Sequence, residues 1–317
     1  MPSTRLCQLS LINKRRLYVS LRNYWCRSRR GLIAAKLSQN HNKVCFVDRR
    51  LSESSQLELE LEQWQGVKLQ FKLPYLNQLA PCRWLIICVK AHQVAQAIEG
   101  LSIAADCQVL LMVNGIGAEQ SLLSTLKPEQ LFLASNTHGA LLIDKQAHQL
   151  RVKHTGLGKI DLGGYLNQVL KPQYLAYLNQ AFEPVYWHNN IYPVLWQKLA
   201  INCCINPLTA IHRCRNGELL KPQYQSEITH LCAEISHTAA LESIALSEQQ
   251  LQQSVLQVAK LTANNFSSMQ QDLAQQRRSE IDYINGYLVE CAKRHGLDTP
   301  CNLALLQRIK QMEQDYA

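Results

Sequence analysis

Leu85-Ile86-Ile87-Cys88-Val89 is followed by Lys90 and then by Ala91-His92-Gln93-Val94-Ala95-Gln96-Ala97-Ile98. Five consecutive apolar residues suit a strand buried on both faces, while the next stretch spaces its apolar residues as a helix does. The same alternation extends outward from this unit. Val44–Val47, Val109–Val113 and Leu131–Ala134 predict further buried strands, and Leu32–Leu37 predicts a helix. Strands alternating with helices predict βαβ units and a mostly parallel sheet. Val152–Thr155, Lys159–Leu162 and Pro184–Trp187 predict short strands around glycines. Beyond Trp187 the long stretches Leu195–Ile205, Gln225–Leu241, Ser247–Ala263, Gln276–Arg294 and 301–315 predict helices only. The expected fold class is α/β: a Rossmann-like domain over 31–187, then an all-α second domain over 188–317.

The 317 residues carry 33 Lys+Arg against 24 Asp+Glu, a net charge of +9 that points to an acidic partner if taken whole. Placing the charges removes that inference. Arg5, Lys14, Arg15, Arg16, Arg22, Arg27, Arg29 and Arg30 precede any acid, so the remaining chain carries 25 basic against 24 acidic residues. No nucleic-acid partner is expected of such a body. The longest apolar run, Trp84–Val89, is six residues, too short to span a bilayer, and no membrane partner is expected. The 12 cysteines are scattered, with no C-x-x-C pair and no zinc-ligand spacing. They predict reduced, mostly buried thiols in a cytosolic protein, and no metal.

In an open parallel sheet ligands bind beyond the carboxyl ends of the strands. After Val44–Val47 comes Asp48-Arg49-Arg50. Its arginines read as partners of a 2′-phosphate, hence NADP, or as a basic surface turn. After Leu85–Val89 comes Lys90, and after Val109–Val113 comes Asn114-Gly115-Ile116-Gly117, either a close approach of backbone to a ligand or a plain turn. In Trp196–Pro207, Lys198, Asn202 and Asn206 are spaced by four and share one helical face. Two asparagines, poor helix formers, in an otherwise apolar helix suit an anionic, carbonyl-bearing ligand better than a solvated face does. Pro207 is expected to end that helix near Asn206. Ser267–Asp272 and Arg277–Gly286, taken alone, read as polar helix ends.

Together these blocks resemble the ketopantoate reductase family. The likeness rests on Val113–Gly117, Thr137-His138-Gly139-Ala140, Trp187-His188-Asn189-Asn190-Ile191, Lys198–Ala210, Asn216-Gly217-Glu218-Leu219 and Ser267–Gly286, in order across 31–317. It implies an NADPH-dependent oxidoreductase that reduces 2-dehydropantoate to (R)-pantoate for pantothenate synthesis. By that likeness Lys198 is the general acid, and Lys198, Asn202, Asn206, Asn216 and Ser268 hold the substrate. Glu280 reaches the nicotinamide side as a catalytic and cofactor residue. Arg49 takes the 2′-phosphate, and Lys90, Asn114 and Ala140 line the cofactor. The helical domain would bind substrate, in a cleft between the domains, and the reading leaves a homodimer open. The competing readings are a reductase of another short 2-oxo acid and a non-catalytic NADP-binding or decayed homologue.

The departure from the family lies in the head. The G-x-G-x-x-G loop that binds the cofactor's pyrophosphate is missing. In its place stands Asn23-Tyr24-Trp25-Cys26-Arg27-Ser28-Arg29-Arg30-Gly31. Skipping one nucleotide in these codons forces Gly from Trp25-Cys26 and permits Ile-Ile-Gly-Ala-Gly-Ala-Val-Gly, the full fingerprint. Residues 1–30 are therefore expected to be an aberrant head from a frameshift near Gly31. The rival reading is an Arg-rich mitochondrial transit peptide. DNA sequence across codons 18–32 decides the matter; an intact frame with no shifted fingerprint sinks the frameshift.

Overall fold

The computed structural model describes residues 17–20, 27–40, 43–48, 51–79, 82–146 and 148–316. The first part of the chain runs β1 (Leu17–Ser20), α1 (Arg27–Gln39), β2 (Val44–Val47), β3 (Ser55–Glu62), β4 (Lys68–Leu76), β5 (Trp84–Ile87) and α2 (Val94–Ile98). It continues through β6 (Gln108–Leu111), β7 (Leu131–Asn136), β8 (Gly139–Gln146), β9 (Gln149–Gly156), β10 (Ile160–Gly164), α3 (Leu175–Ala181) and β11 (Val185–Trp187). The helical part is α4 (Tyr192–Ile211), α5 (Pro222–Leu241), α6 (Glu248–Leu261), α7 (Ser268–Ala274), α8 (Asn285–Arg294) and α9 (Pro300–Gln314).

The strands form one sheet in the order β11-β10-β7-β6-β5-β1-β2-β4-β3-β9-β8. From β7 to β4, neighbours are parallel, while β3–β4, β8–β9 and β7–β10 are antiparallel. Every residue of β2, β5 and β7 is buried, and β2 and β5 are accordingly apolar throughout, while β7 is apolar up to Ser135-Asn136 at its carboxyl end. Two apolar layers sandwich the sheet. One holds Leu32, Ile33 and Leu37 of α1 against Phe46, Ile86 and Phe132; the other holds Val94 and Ile98 of α2 against Val47, Leu85 and Leu111. A third core fills the helical part around Trp196, Leu199 and Cys203 of α4.

Four expectations need correction. The head does not lie wholly outside the sheet: Leu17–Ser20 pairs in parallel with both β2 and β5. Removal of residues 1–30 would therefore take out a central strand. Pro207 does not end α4, which runs on to Ile211. Proline leaves the carbonyl four residues back without its helical donor, and here the Asn285 Nδ2 of α8 donates to that Cys203 carbonyl at 3.1 Å. Gln276–Arg294 is not one helix. Glu280 and Tyr283 are drawn to the other domain instead, where the Ala91 N–H donates to Glu280 at 3.1 Å and the Ile116 N–H to the Tyr283 carbonyl at 3.0 Å, and α8 starts only at Asn285. The fourth concerns Gly115 (φ +80°), whose close neighbour is this same Tyr283 backbone: a Cβ there would lie 2.2 Å from its oxygen.

Of the ten cysteines described, eight are buried and none forms a disulfide. No helix among the described residues is long and apolar enough to cross a membrane.

Candidate active site

The parallel strands switch direction of progression at β1, whose neighbours β2 and β5 are reached in opposite senses. Crevices open at such points. A cleft of about 670 Å³ lies there, lined by Ser28 and Arg29 of α1, Lys90, Asn114, the start of β8 with Ala140, and residues of the second domain that include Ser268 and Asp272. The volume falls in the range of small-molecule sites.

A chain of charges crosses the two domains at this cleft. Lys90, buried just beyond β5, donates to Asp272 Oδ2 at 2.6 Å and to Glu280 Oε2 at 3.3 Å. The Arg277 Nη2 holds the other Asp272 oxygen at 2.9 Å. Glu280 also accepts from the Ala91 N–H and from Asn114 Nδ2, each at 3.1 Å, and Arg29 Nη1 donates to Asn114 Oδ1 at 3.0 Å. Burial works to raise the Glu280 pKa. The Lys90 and Arg29 charges, with the Asn114 and Ala91 hydrogen bonds, outweigh it, and Glu280 is held below the usual carboxylate range. It is thus an anion at neutral pH.

Lys90, Asn114, Ala140, Ser268 and Glu280 are thereby brought together. Lys198 stands at the margin of the cleft: its Nζ donates at 3.1 Å to the carbonyl of Asn136, the last residue of β7 and two before the cleft-lining His138. Asn202 and Asn206 follow on α4, half-buried and buried respectively. Asn216 donates its Nδ2 to Thr262 Oγ1 at 2.8 Å, while its Oδ1 is buried without a hydrogen-bond partner among the described residues. These three and Lys198 do not line the cleft itself. Arg49 lies outside the described residues. Sequence reasoning missed Arg29, Asp272 and Arg277 as a charge set, and Asn264–Phe266 as cleft wall. The signal for the wall was there in Asn264-Asn265, a polar pair breaking the helical pattern just before the Ser267 cap.

His138 forms the floor of the same region. The Gly158 N–H donates to His138 Nδ1 at 3.2 Å, so this nitrogen is an acceptor and His154 Nε2, also 3.2 Å away, supplies a second hydrogen. Burial, then the His154 and Lys36 charges, push the His138 pKa down to about 4; burial and Lys36 lower His154 as well. A histidine pKa lowered by folding gives stability that is complete above the unfolded value near 6.5 and is lost as pH falls through the folded value. The unfolding free energy should therefore drop by up to about 3 kcal/mol between pH 6.5 and 4. Urea titrations across that interval check this. His138→Asn should flatten the curve, and an equally steep curve would remove His138 as its source.

Two family models match the chain: "Ketopantoate reductase PanE/ApbA" over residues 31–167 and "Ketopantoate reductase PanE/ApbA C terminal" over residues 190–313. A 2-dehydropantoate 2-reductase of Vibrio cholerae is 37% identical over 290 residues, covering 90% of this chain and 95% of that protein. Among solved structures, D-mandelate dehydrogenase with NADH and anilino(oxo)acetate superposes with a TM-score of 0.79 at 22% identity, covering 95% of this chain and 99% of the other. A dimeric ketopantoate reductase from Staphylococcus aureus gives 0.78 at 19% identity, over 95% and 100%. These two likenesses concern the fold.

Proposed function

The chain belongs to the ketopantoate reductase family, and on that premise we propose that it reduces 2-dehydropantoate to (R)-pantoate with NADPH, supplying pantothenate synthesis. The observation that carries this reading is the pairing of one cleft at the switch point of the sheet with a lysine at its margin, Lys198 on Asn136. Beyond the head, the donors in the lining suit a nicotinamide dinucleotide: Lys90 supplies positive charge and Asn114 an amide, with Ala140 beside them. NADPH, when bound, supplies the hydride for the ketone carbon.

The chain's own residues do the rest. Lys198 Nζ exchanges the Asn136 carbonyl for the ketone oxygen, stabilises the charge that grows there, and gives up a proton to it. Asn202, Asn206 and Ser268 hold the carboxylate and hydroxyl of the substrate. The unpartnered Asn216 Oδ1 is an acceptor that a substrate hydroxyl would satisfy. Glu280, anionic and fixed by three donors, orients Lys90 and Asn114 toward the cofactor and would face its nicotinamide side. Arg49 takes the 2′-phosphate and sets the preference for NADPH over NADH. A homodimer is part of the proposal, after the dimeric neighbour.

The head sets the test. NADPH oxidation with 2-dehydropantoate is measured on the chain as written and on a version whose frame is restored through codons 18–31. The restored form should turn over; the form as written should bind NADPH weakly or not at all. NADH should serve less well than NADPH in the active form. Equal activity of the two forms would show that the glycine loop is dispensable, and a restored form inert toward 2-dehydropantoate would overturn the assignment.

A further inference from the structure

Between α6 and α7 the chain passes along the cleft as Asn264-Asn265-Phe266. This passage is pinned from behind by the turn after α4. The Gly217 N–H donates to the Ala263 carbonyl at 3.2 Å, Arg215 Nη1 to the Asn264 carbonyl at 3.0 Å, and the Asn216 N–H to the Asn265 carbonyl at 3.0 Å. Three consecutive carbonyls are thus held by three consecutive residues. Gly217 is required for the fit, since a Cβ there would lie 2.7 Å from the Ala263 Cβ. The Arg215 guanidinium then lies over the Phe266 ring, 5.1 Å from its centroid.

The ring so fixed is 39% exposed. Among the described residues it is the single apolar side chain that the helical domain contributes to the cleft lining; the others there, from Asn264 to Arg277, are polar or charged. Across the cleft stand Ala140, Leu141 and Leu142 of β8. The polar side chains of the helical wall can hold a carboxylate, a ketone and a hydroxyl, but they gain nothing from methyl groups. An exposed aromatic face, clamped in place two residues before Ser268, does.

Resting on the ketopantoate reading, we infer that Phe266 is the specificity wall for the branched carbon of the substrate, and that Arg215 is its positioning residue. The site then selects 2-oxo acids whose carbon beside the ketone is quaternary over their unbranched counterparts. Two methyl groups distinguish these substrates, and an apolar pocket discriminates by about 10–200-fold for each methylene-sized group.

The test compares kcat/KM for 4-hydroxy-3,3-dimethyl-2-oxobutanoate and 4-hydroxy-2-oxobutanoate, with NADPH, in the full chain in its active form. Phe266→Ala should lower the preference for the dimethyl acid by about 10-fold or more, while Phe266→Tyr, which keeps the ring, retains it. Arg215→Gln should raise KM for the dimethyl acid alone, with kcat and NADPH affinity held; a merely structural role would move all three. In parallel, calorimetry measures binding of pantoate and of 2,4-dihydroxybutanoate with NADP+ present. Turnover with an unchanged ratio in Phe266→Ala overturns the wall and leaves the assigned reaction standing. Absent turnover with a Phe266-dependent difference in binding overturns the reaction and supports the wall. Neither turnover nor selective binding overturns both.

Discussion

Lys198→Ala should lower kcat by about 10³-fold or more, the combined loss of a placed proton donor and of a charge facing the growing alkoxide. NADPH affinity should stay within about twofold, because Lys198 stands at the cleft margin on the Asn136 carbonyl rather than in the Lys90–Glu280 network. Lys198→Arg keeps the charge and not the acidity, so it should recover little. Single-turnover kinetics with fluorescence titration of NADPH separate the two effects. Unchanged turnover in Lys198→Ala would remove this residue from the acid role.

The second large effect is one of stability. Lys90 stands between two buried carboxylates, with Asp272 and Glu280 each 3% exposed. Arg277 continues to pair with Asp272 if Lys90 is lost, so the uncompensated charge falls mainly on Glu280. Removing one partner of a buried pair costs about 3–5 kcal/mol, much of it the burden of the charge left behind. Lys90→Ala should therefore destabilise the protein by about that amount at pH 7. The pH dependence should change sign. In the parent chain the Glu280 pKa lies below its unfolded value, giving stability that is present above that value and lost as pH falls through the lower, folded one. Without Lys90 the effect of burial prevails, the pKa rises, and acidification toward pH 5 should relieve the destabilisation. Adding Glu280→Gln to Lys90→Ala should recover part of the loss. Urea unfolding at pH 7 and pH 5 measures both, and a cost below about 1 kcal/mol would show the pair to be solvated.

The central strands were legible because both of their faces are covered, so Val44–Val47 and Leu85–Val89 had no polar alternation to confuse them. The hairpin β3–β4 was not singled out. Ser55-Gln-Leu-Glu-Leu-Glu-Leu-Glu62 alternates strictly, with Leu57, Leu59 and Leu61 buried, but its charge density reads as a polar loop when strands are sought as apolar runs. Strand β1 was missed for another reason: Leu17–Ser20 is four residues long inside a basic segment that composition had set apart. On the site, spacing alone put Lys198, Asn202 and Asn206 on one face of α4. Spacing has no access to contacts between distant segments. The Lys90–Asp272 and Lys90–Glu280 contacts join residues 182 and 190 positions apart, and Arg215 on Phe266 depends on how the turn after α4 meets the loop after α6. The same limit hid the fate of Pro207, whose lost hydrogen bond is made good by Asn285 from another helix.

The most direct measurement is the identity and yield of the product. The restored-frame protein, given 2-dehydropantoate and NADPH, should form (R)-pantoate in equimolar amount to the NADPH oxidised, as read by chiral chromatography beside the absorbance loss at 340 nm, roughly one for one as hydride transfer requires. No pantoate, the opposite enantiomer, or a higher kcat/KM with an unbranched 2-oxo acid would contradict the account.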